Sequence, residues 1–130
     1  MATQEKMNPR VKQMWIDALR SGNYKQGTAA LKSAKNEYCC LGVLCDLHRK
    51  STKSSKNKWV KIDKDSSAFN YVAGKEEDAC LLPKAVQKWS GVLEDGRYVK
   101  RNNQLNTLII LNDEREYSFK KIADVIEKYF

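Results

Sequence analysis

A nine-residue run, Tyr38 to Asp46, constrains the fold of this chain more than any other segment. Its sequence is Tyr-Cys-Cys-Leu-Gly-Val-Leu-Cys-Asp, which would make a helix apolar around most of its circumference. Such a helix is stable only at the centre of a domain, so we predict a buried helix from about Tyr38 to Lys50. Gly42 weakens helix propensity, and we expect it there because a neighbouring backbone approaches closely.

Three of the four cysteines, Cys39, Cys40 and Cys45, lie in this run, and Cys80 lies apart. Their spacing matches no zinc site, and we predict neither a metal nor a cofactor. The one histidine, His48, follows Cys40 by more than two helical turns, so the two cannot form a nucleophile–base pair. We expect free, packed thiols in a reducing compartment. We assign no catalytic residue and favour a protein without enzymatic activity.

The remaining pattern predicts one α+β domain over residues 1–130. Asn8 and Pro9 are suited to begin a first helix, and Ser118 is suited to cap a last one. A short helix is expected between Leu82-Pro83 and Gly91. These observations predict a single compact domain with helices at both ends and a central buried helix packed on a small antiparallel sheet.

Strands are predicted where β-branched and aromatic residues concentrate, at 59–62, 68–73 and 97–100. Residues 23–35 favour an extended strand or a ligand-facing loop, and 105–111 fit either a strand or a helical turn. Asn112-Asp113 is predicted to be a turn. The polar segment 51–58 is predicted to be a mobile basic loop.

Positive charge is concentrated in the first part of the chain. Residues 1–58 contain 12 Lys and Arg against 4 Asp and Glu, whereas residues 59–130 contain 12 of each. This asymmetry indicates an anionic partner, either a nucleotide, a nucleic acid or an acidic protein surface. A basic face that only aids solubility is the alternative. No apolar run approaches the roughly 20 residues of a membrane span, and Met1 to Lys6 lack a signal-peptide core, so we expect a cytosolic protein.

A binding site is predicted near the start of the central helix. Exposed backbone N–H groups at a helix N-terminus favour an anion, and Lys25, Gln26, Asn36 and Tyr38 flank this point. Tyr24, Tyr38 and Trp59 could stack on a nucleobase, although Trp59 is better suited to the core or the face of a sheet. In a chain this small, a nucleotide pocket would form most economically between protomers, so we expect a homodimer or a larger assembly.

Several segments together resemble a family of small bacteriophage and prophage proteins. The matching residues are Ser21, Gly22, Tyr24 and Gln26, Cys39 to Asp46, Leu82, Pro83, Val86, Trp89 and Gly91, Leu111 to Asp113, and Ser118 to Glu127. The resemblance adds Asn112 and Asp113 as candidate ligand-binding residues, and it implies a setting in the cytosol of a bacterial host. Small accessory phage proteins are frequently inhibitors of bacterial defence.

Two functional hypotheses follow from the charge and the resemblance. The first is an anti-defence protein that sequesters an anionic nucleotide immune signal, such as a cyclic nucleotide or an ADP-ribose derivative, without catalysis. The second is a non-enzymatic inhibitor that binds a host defence protein or nucleic acid through its basic N-terminal half. Neither hypothesis involves a membrane.

Overall fold

The computed structural model describes residues 7–62 and 68–130. Within these ranges the helices are α1 (Pro9–Ser21), α2 (Cys40–Thr52), α3 (Lys84–Ser90), α4 (Leu108–Asp113) and α5 (Phe119–Tyr129). The strands are β1 (Lys25–Gln26), β2 (Lys32–Ser33), β3 (Glu37–Tyr38), β4 (Asn57–Lys61), β5 (Ala68–Ala73), β6 (Glu76–Asp78), β7 (Arg97–Val99) and β8 (Leu105–Thr107). The chain is a single compact α+β domain with helices at both ends, as predicted. Residues 1–6, considered above for a signal peptide, lie outside the described residues.

Helix α2 is the centre of the domain. Its residues Cys40 to Cys45 are all buried, and the α1 side chain Trp15 donates from its indole N–H to the Cys40 carbonyl at 3.0 Å. A Cβ at Gly42 would lie 1.7 Å from the carbonyl oxygen of Leu31. The expected close approach of a neighbouring backbone at this glycine is therefore confirmed, and the segment before β2 is the neighbour.

The helix boundaries follow local capping signals. Asn8 accepts from the backbone N–H groups of Arg10 and Val11, and α1 ends at Gly22 with φ of 80°. Ser118 accepts from the N–H of Lys121 at the start of α5. Both caps were predicted from the sequence, because a side-chain oxygen before a helix satisfies its free N–H groups.

The main sheet has the order β1-β3-β2-β5-β4, and β6 also pairs with β5. Its pairs are antiparallel except β1 with β3, which is parallel. The predicted antiparallel sheet is therefore correct for the longer strands but omits this short parallel pair. A separate antiparallel pair joins β7 to β8.

The predicted basic loop at 51–58 is wrong at both ends. The segment continues α2 through Thr52, and Lys53 then closes the helix by donating its N–H to the Arg49 carbonyl. Asn57 begins β4, and its side-chain amide donates to the Thr52 hydroxyl at 2.7 Å. Only residues 53–56 connect the two elements, because pairing with β5 extends the strand toward the helix.

The predicted turn at Asn112-Asp113 is also wrong, because both residues belong to α4. Thr107 caps that helix by accepting from the N–H of Ile110 at 3.2 Å. The ambiguous segment 105–111 divides at this cap into strand β8 and helix α4. None of the helices in the described part of the chain has the length and apolar character needed to cross a lipid bilayer.

Candidate functional site

An open cleft of about 710 Å³ lies beside the central helix. We call it the aromatic cleft. It is bounded by the end of α1, strands β1 and β3, and one face of α2. Its charged, polar and aromatic lining residues are Asp17, Ser21, Asn23, Tyr24, Lys25, Asn36, Tyr38, Asp46, Arg49 and Lys50.

Asp46 is the buried acidic residue of this cleft, with 3% of its surface exposed. Arg49 and Lys50 follow it by three and four positions on α2, so all three share one helix face. Arg49 binds Asp46 Oδ1 through Nε at 2.9 Å and through Nη2 at 2.8 Å. Lys50 Nζ lies 3.5 Å from Oδ2. The cations are thus fixed at the cleft by a carboxylate that belongs to their own helix.

Two aromatic side chains also donate hydrogen bonds to the Asp46 carboxylate. The Tyr24 hydroxyl donates to Oδ2 at 2.7 Å, and the Trp59 indole N–H donates to Oδ1 at 3.0 Å. Because Tyr24 precedes β1 and Trp59 lies in β4, the carboxylate connects the helix to both ends of the main sheet.

The pKa of Asp46 reflects opposed effects. Burial by itself raises the pKa of a carboxyl group, but hydrogen bonds from Tyr24, Trp59 and Arg49 outweigh it and lower the pKa of Asp46 below its ordinary value. Burial and the hydrogen bond to Asp46 raise the pKa of the Tyr24 hydroxyl well above its ordinary value. At neutral pH the pair is therefore a neutral phenol that donates to a carboxylate.

A continuous row of aromatic rings extends from the cleft into the core. The ring centres of Tyr24 and Tyr38 lie 5.1 Å apart and those of Tyr38 and Trp59 lie 6.0 Å apart, both edge to face. The rings of Trp59 and Tyr71 are tilted, with centres 4.9 Å apart. The Lys32 ammonium lies 5.5 Å from the ring centres of both Tyr38 and Trp59. The half-buried rings at the cleft end are thereby held in fixed orientations beside cations.

The structure brings together three of the six predicted binding residues. Lys25, Asn36 and Tyr38 line the aromatic cleft. Lys25 also lies 3.5 Å from the Glu37 carboxylate, with 73% of its side chain exposed, so it can turn toward a ligand. Whether these residues bind one stays a prediction.

Gln26, Asn112 and Asp113 lie elsewhere, in a cluster that joins β1 to α4. Gln26 Nε2 donates to Asn112 Oδ1 at 3.0 Å and to the Tyr117 carbonyl at 2.8 Å. Asn112 Nδ2 donates to the Gly27 carbonyl at 2.9 Å and to Asp113 Oδ1 at 2.8 Å. These polar groups hydrogen-bond to one another, and Asn112 is 1% exposed. The role of Asn112 is therefore to connect α4 to the segment around β1.

The predicted exposed N-terminus of the central helix is wrong. The Cys40 N–H donates to Asn112 Oδ1 at 3.2 Å, and the Gly42 N–H donates to Cys39 Sγ at 3.4 Å. Residues 39–42 are buried. The N–H groups that would have favoured an anion are therefore occupied by the protein itself, and the cleft lies further along the helix.

Sequence reasoning did not select Asp46, Arg49 or Lys50 as site residues. The signal was present, because Asp46 is the one acidic residue in an otherwise apolar buried run and a buried carboxylate requires partners. Cations three and four positions later are the expected partners on a helix. The aromatic donors, by contrast, come from 22 and 13 positions away.

The thiols and the histidine are poorly suited to catalysis. Cys39, Cys40 and Cys45 are free and buried, and burial raises the pKa of Cys39 to about 12. Thiols of such high pKa are not nucleophilic at neutral pH. His48 Nδ1 lies 2.7 Å from the Tyr71 hydroxyl, and burial lowers the pKa of His48. Within residues 7–62 and 68–130, no group of three His, Cys, Asp or Glu could hold a metal ion.

Comparison with known proteins gives a family without an assigned activity. The family model described as a domain of unknown function (DUF8296) matches residues 7–130. No curated protein and no solved structure gives a significant match.

Proposed function

The chain belongs to the family described as a domain of unknown function (DUF8296), and from its geometry we propose that it binds and sequesters a small anionic nucleotide in the aromatic cleft without catalysis. In the setting implied by the resemblance to phage proteins, that nucleotide is an immune signal of the bacterial host, and its capture prevents the signal from reaching its receptor. The partner is thus a small molecule.

One observation carries this proposal: aromatic rings and cations line the same cleft. Tyr24 and Tyr38 present half-buried rings, and Lys25, Arg49 and Lys50 lie around them. A nucleotide combines a flat π-system with negative phosphates, so it matches both parts of this lining. The volume of about 710 Å³ also falls within the range of roughly 300–1,000 Å³ of small-molecule sites.

The buried carboxylate supports binding rather than chemistry. Both Asp46 oxygens already accept hydrogen bonds, from Tyr24 on one side and from Trp59 and Arg49 on the other. A general base needs a free lone pair directed at the substrate and a pKa near the working pH. Asp46 has a lowered pKa, and its two oxygens are engaged by Tyr24, Trp59, Arg49 and Lys50. Its role is therefore to position the side chains of the cleft.

The test is a thermal-shift screen followed by titration of matched variants. The panel contains cyclic dinucleotides, cyclic ADP-ribose isomers, common mononucleotides and a short DNA duplex. A nucleotide at about one hundred times its dissociation constant stabilises the folded state by about 2.7 kcal/mol. For a domain of this size that corresponds to a melting-temperature increase of roughly 10 °C.

Two lysines provide the matched comparison. Lys50→Gln removes a cleft cation whose side chain is 58% exposed, and we expect it to weaken nucleotide binding about tenfold. Lys88→Gln removes an exposed charge from α3, outside the cleft, and should leave binding unchanged. A flat response to every nucleotide would overturn the proposal. Stabilisation by the duplex alone, steeply weakened by salt, would instead favour the hypothesis of a nucleic-acid-binding inhibitor.

A further inference from the structure

A second cleft, of about 300 Å³, lies beside α5 (Phe119–Tyr129). We call it the carboxy-terminal cleft. It is formed by β7, the end of α4 and one face of α5, and it shares no lining residue with the aromatic cleft. Its charged and aromatic lining residues are Tyr98, Lys100, Tyr117, Lys121, Asp124, Lys128 and Tyr129.

Three lysines line this cleft, and none of them has an acidic partner in the part of the chain that the structure describes. Lys100, Lys121 and Lys128 line it, and none of them forms a salt bridge with the part of the chain that the structure describes. The one carboxylate in the lining, Asp124, is bound by Arg20 at 2.7 Å. Among the described residues, none of the three ammonium groups is therefore bound directly by a carboxylate.

Two of these lysines are held in place by aromatic rings. Lys121 Nζ lies 4.5 Å from the centre of the Tyr117 ring, and Lys128 Nζ lies 5.3 Å from the centre of the Tyr129 ring. Cation–π contacts of this kind restrict a flexible side chain without neutralising its charge. The ammonium groups of Lys121 and Lys128 are consequently positioned before any ligand arrives.

The tyrosines add aromatic surface to the same cleft. Tyr98 is 1% exposed, and its ring lies 5.3 Å from that of Tyr129. Burial, followed by the influence of Tyr117 and Tyr129, raises the pKa of the Tyr98 hydroxyl. Asn106 also forms a hydrogen bond with this hydroxyl, so Tyr98 supports the ring of Tyr129 rather than donating to a ligand.

We propose that the carboxy-terminal cleft is a second binding site, which takes the phosphate of a small organic phosphate. The three lysines compensate the charge of a dianionic phosphomonoester, and the tyrosine rings contact its organic part. This chemistry matches the lining in sign, in donor type and in size, because about 300 Å³ accommodates a phosphate with one ring. The site does not depend on the aromatic cleft and stands whether or not that cleft binds a nucleotide.

Phenyl phosphate is a suitable probe because it combines one phosphate with one aromatic ring. It would be titrated into the isotope-labelled 130-residue protein while backbone amide resonances are followed by NMR. We expect saturable shifts centred on Tyr117, Lys121 and Lys128. Phenol, which lacks the phosphate, should produce none of these shifts.

Variants on a single helix separate the cleft from general surface charge. Lys121→Gln and Lys128→Gln should each weaken phenyl phosphate binding about tenfold. Lys120→Gln removes the adjacent charge, which lies outside the cleft, and should change the affinity less than twofold. All three side chains belong to exposed residues, and the same spectra verify that each variant is folded.

Three results would overturn the proposal. They are the absence of saturable binding at millimolar phenyl phosphate, an equal loss in Lys120→Gln and Lys121→Gln, and shifts confined to the aromatic cleft. Lys50→Gln distinguishes the two sites. It should leave phenyl phosphate binding intact while it weakens nucleotide binding in the aromatic cleft.

Discussion

Replacing Asp46 with asparagine tests whether its charge organises the aromatic cleft. The substitution preserves the shape of the side chain but removes the negative charge and one of its two acceptor oxygens. The remaining oxygen can still accept hydrogen bonds from Trp59 and Arg49, and the new amide NH₂ group then faces Tyr24 and Lys50. The Tyr24 hydroxyl can rotate to accept a hydrogen bond from this amide, whereas the Lys50 ammonium group has no acceptor and cannot.

The expected magnitude follows from the hydrogen bonds that lose their ionic character. A hydrogen bond to a charged group contributes about 1.5–3 kcal/mol, against about 0.5–1.5 kcal/mol for a neutral one. The bonds from Tyr24 and Arg49 to Asp46 are the two that weaken most. Arg49 is 38% exposed, so solvent reduces its share. We expect Asp46→Asn to lower the free energy of unfolding by about 2 kcal/mol at neutral pH.

The effect should depend on pH in a defined direction. The folded-state pKa of Asp46 lies below the ordinary value of 3.8, so its ionised form favours the folded protein. That contribution is complete at pH values well above 3.8 and is lost as the pH falls through the lowered folded-state pKa. The difference in stability between wild type and variant should therefore shrink as the solution is acidified below about pH 4.

Urea unfolding at about pH 7 and about pH 3, followed by tryptophan fluorescence, measures this difference directly. Asp17→Asn is the control, because Asp17 lines the same cleft but is exposed. It should change the free energy of unfolding by less than about 0.5 kcal/mol. If Asp46→Asn matches the wild type at neutral pH, or if the difference persists unchanged in acid, the charge of Asp46 does not stabilise the cleft.

Three further predictions concern the core. Gly42→Ala should lower the free energy of unfolding, measured by urea denaturation, by at least about 3 kcal/mol, because the new Cβ would overlap the Leu31 carbonyl. A loss below about 1 kcal/mol would show that the backbone at Leu31 moves aside at little cost. Asn112→Ala should cost about 3 kcal/mol, since it removes hydrogen bonds to buried backbone groups, and nucleotide binding measured below the melting temperature should be retained. Cys80 is exposed, whereas the other three cysteines are buried. A thiol reagent should therefore modify one cysteine of the native protein and none of the folded Cys80→Ser variant. Modification of that variant without denaturant would contradict the packing of the central helix.

Much of the fold could be predicted because its signals are local. The Asn8 cap, the Ser118 cap and the closing Gly91 each act through hydrogen bonds or backbone angles within a few residues. The apolar circumference of the central helix likewise requires burial wherever the helix is placed. Gly42 extended this reasoning to a tertiary contact, since a glycine in a buried helix is explained by a close neighbour.

Asn112 shows where local reasoning fails. Its neighbours favour a turn, yet it lies within α4 and bonds to backbone groups of Gly27 and Cys40, which lie 85 and 72 positions away. The bond from the Cys40 N–H occupies the helix N-terminus that was expected to attract an anion. Because these partners come from distant segments, only the assembled fold shows that the asparagine is structural.

The candidate site likewise combines contacts between sequence neighbours with contacts between distant segments. The sequence contains the signal that Asp46, in an apolar helix, requires partners and that Arg49 and Lys50 are within reach on the same face, although the sequence analysis did not select them. Only the tertiary structure brought Tyr24 and Trp59 to that carboxylate and separated Gln26 and Asn112 from Lys25 and Tyr38. Helical periodicity depends on neighbours in sequence, whereas a cleft depends on how separate elements pack together, and that packing brings distant residues into contact.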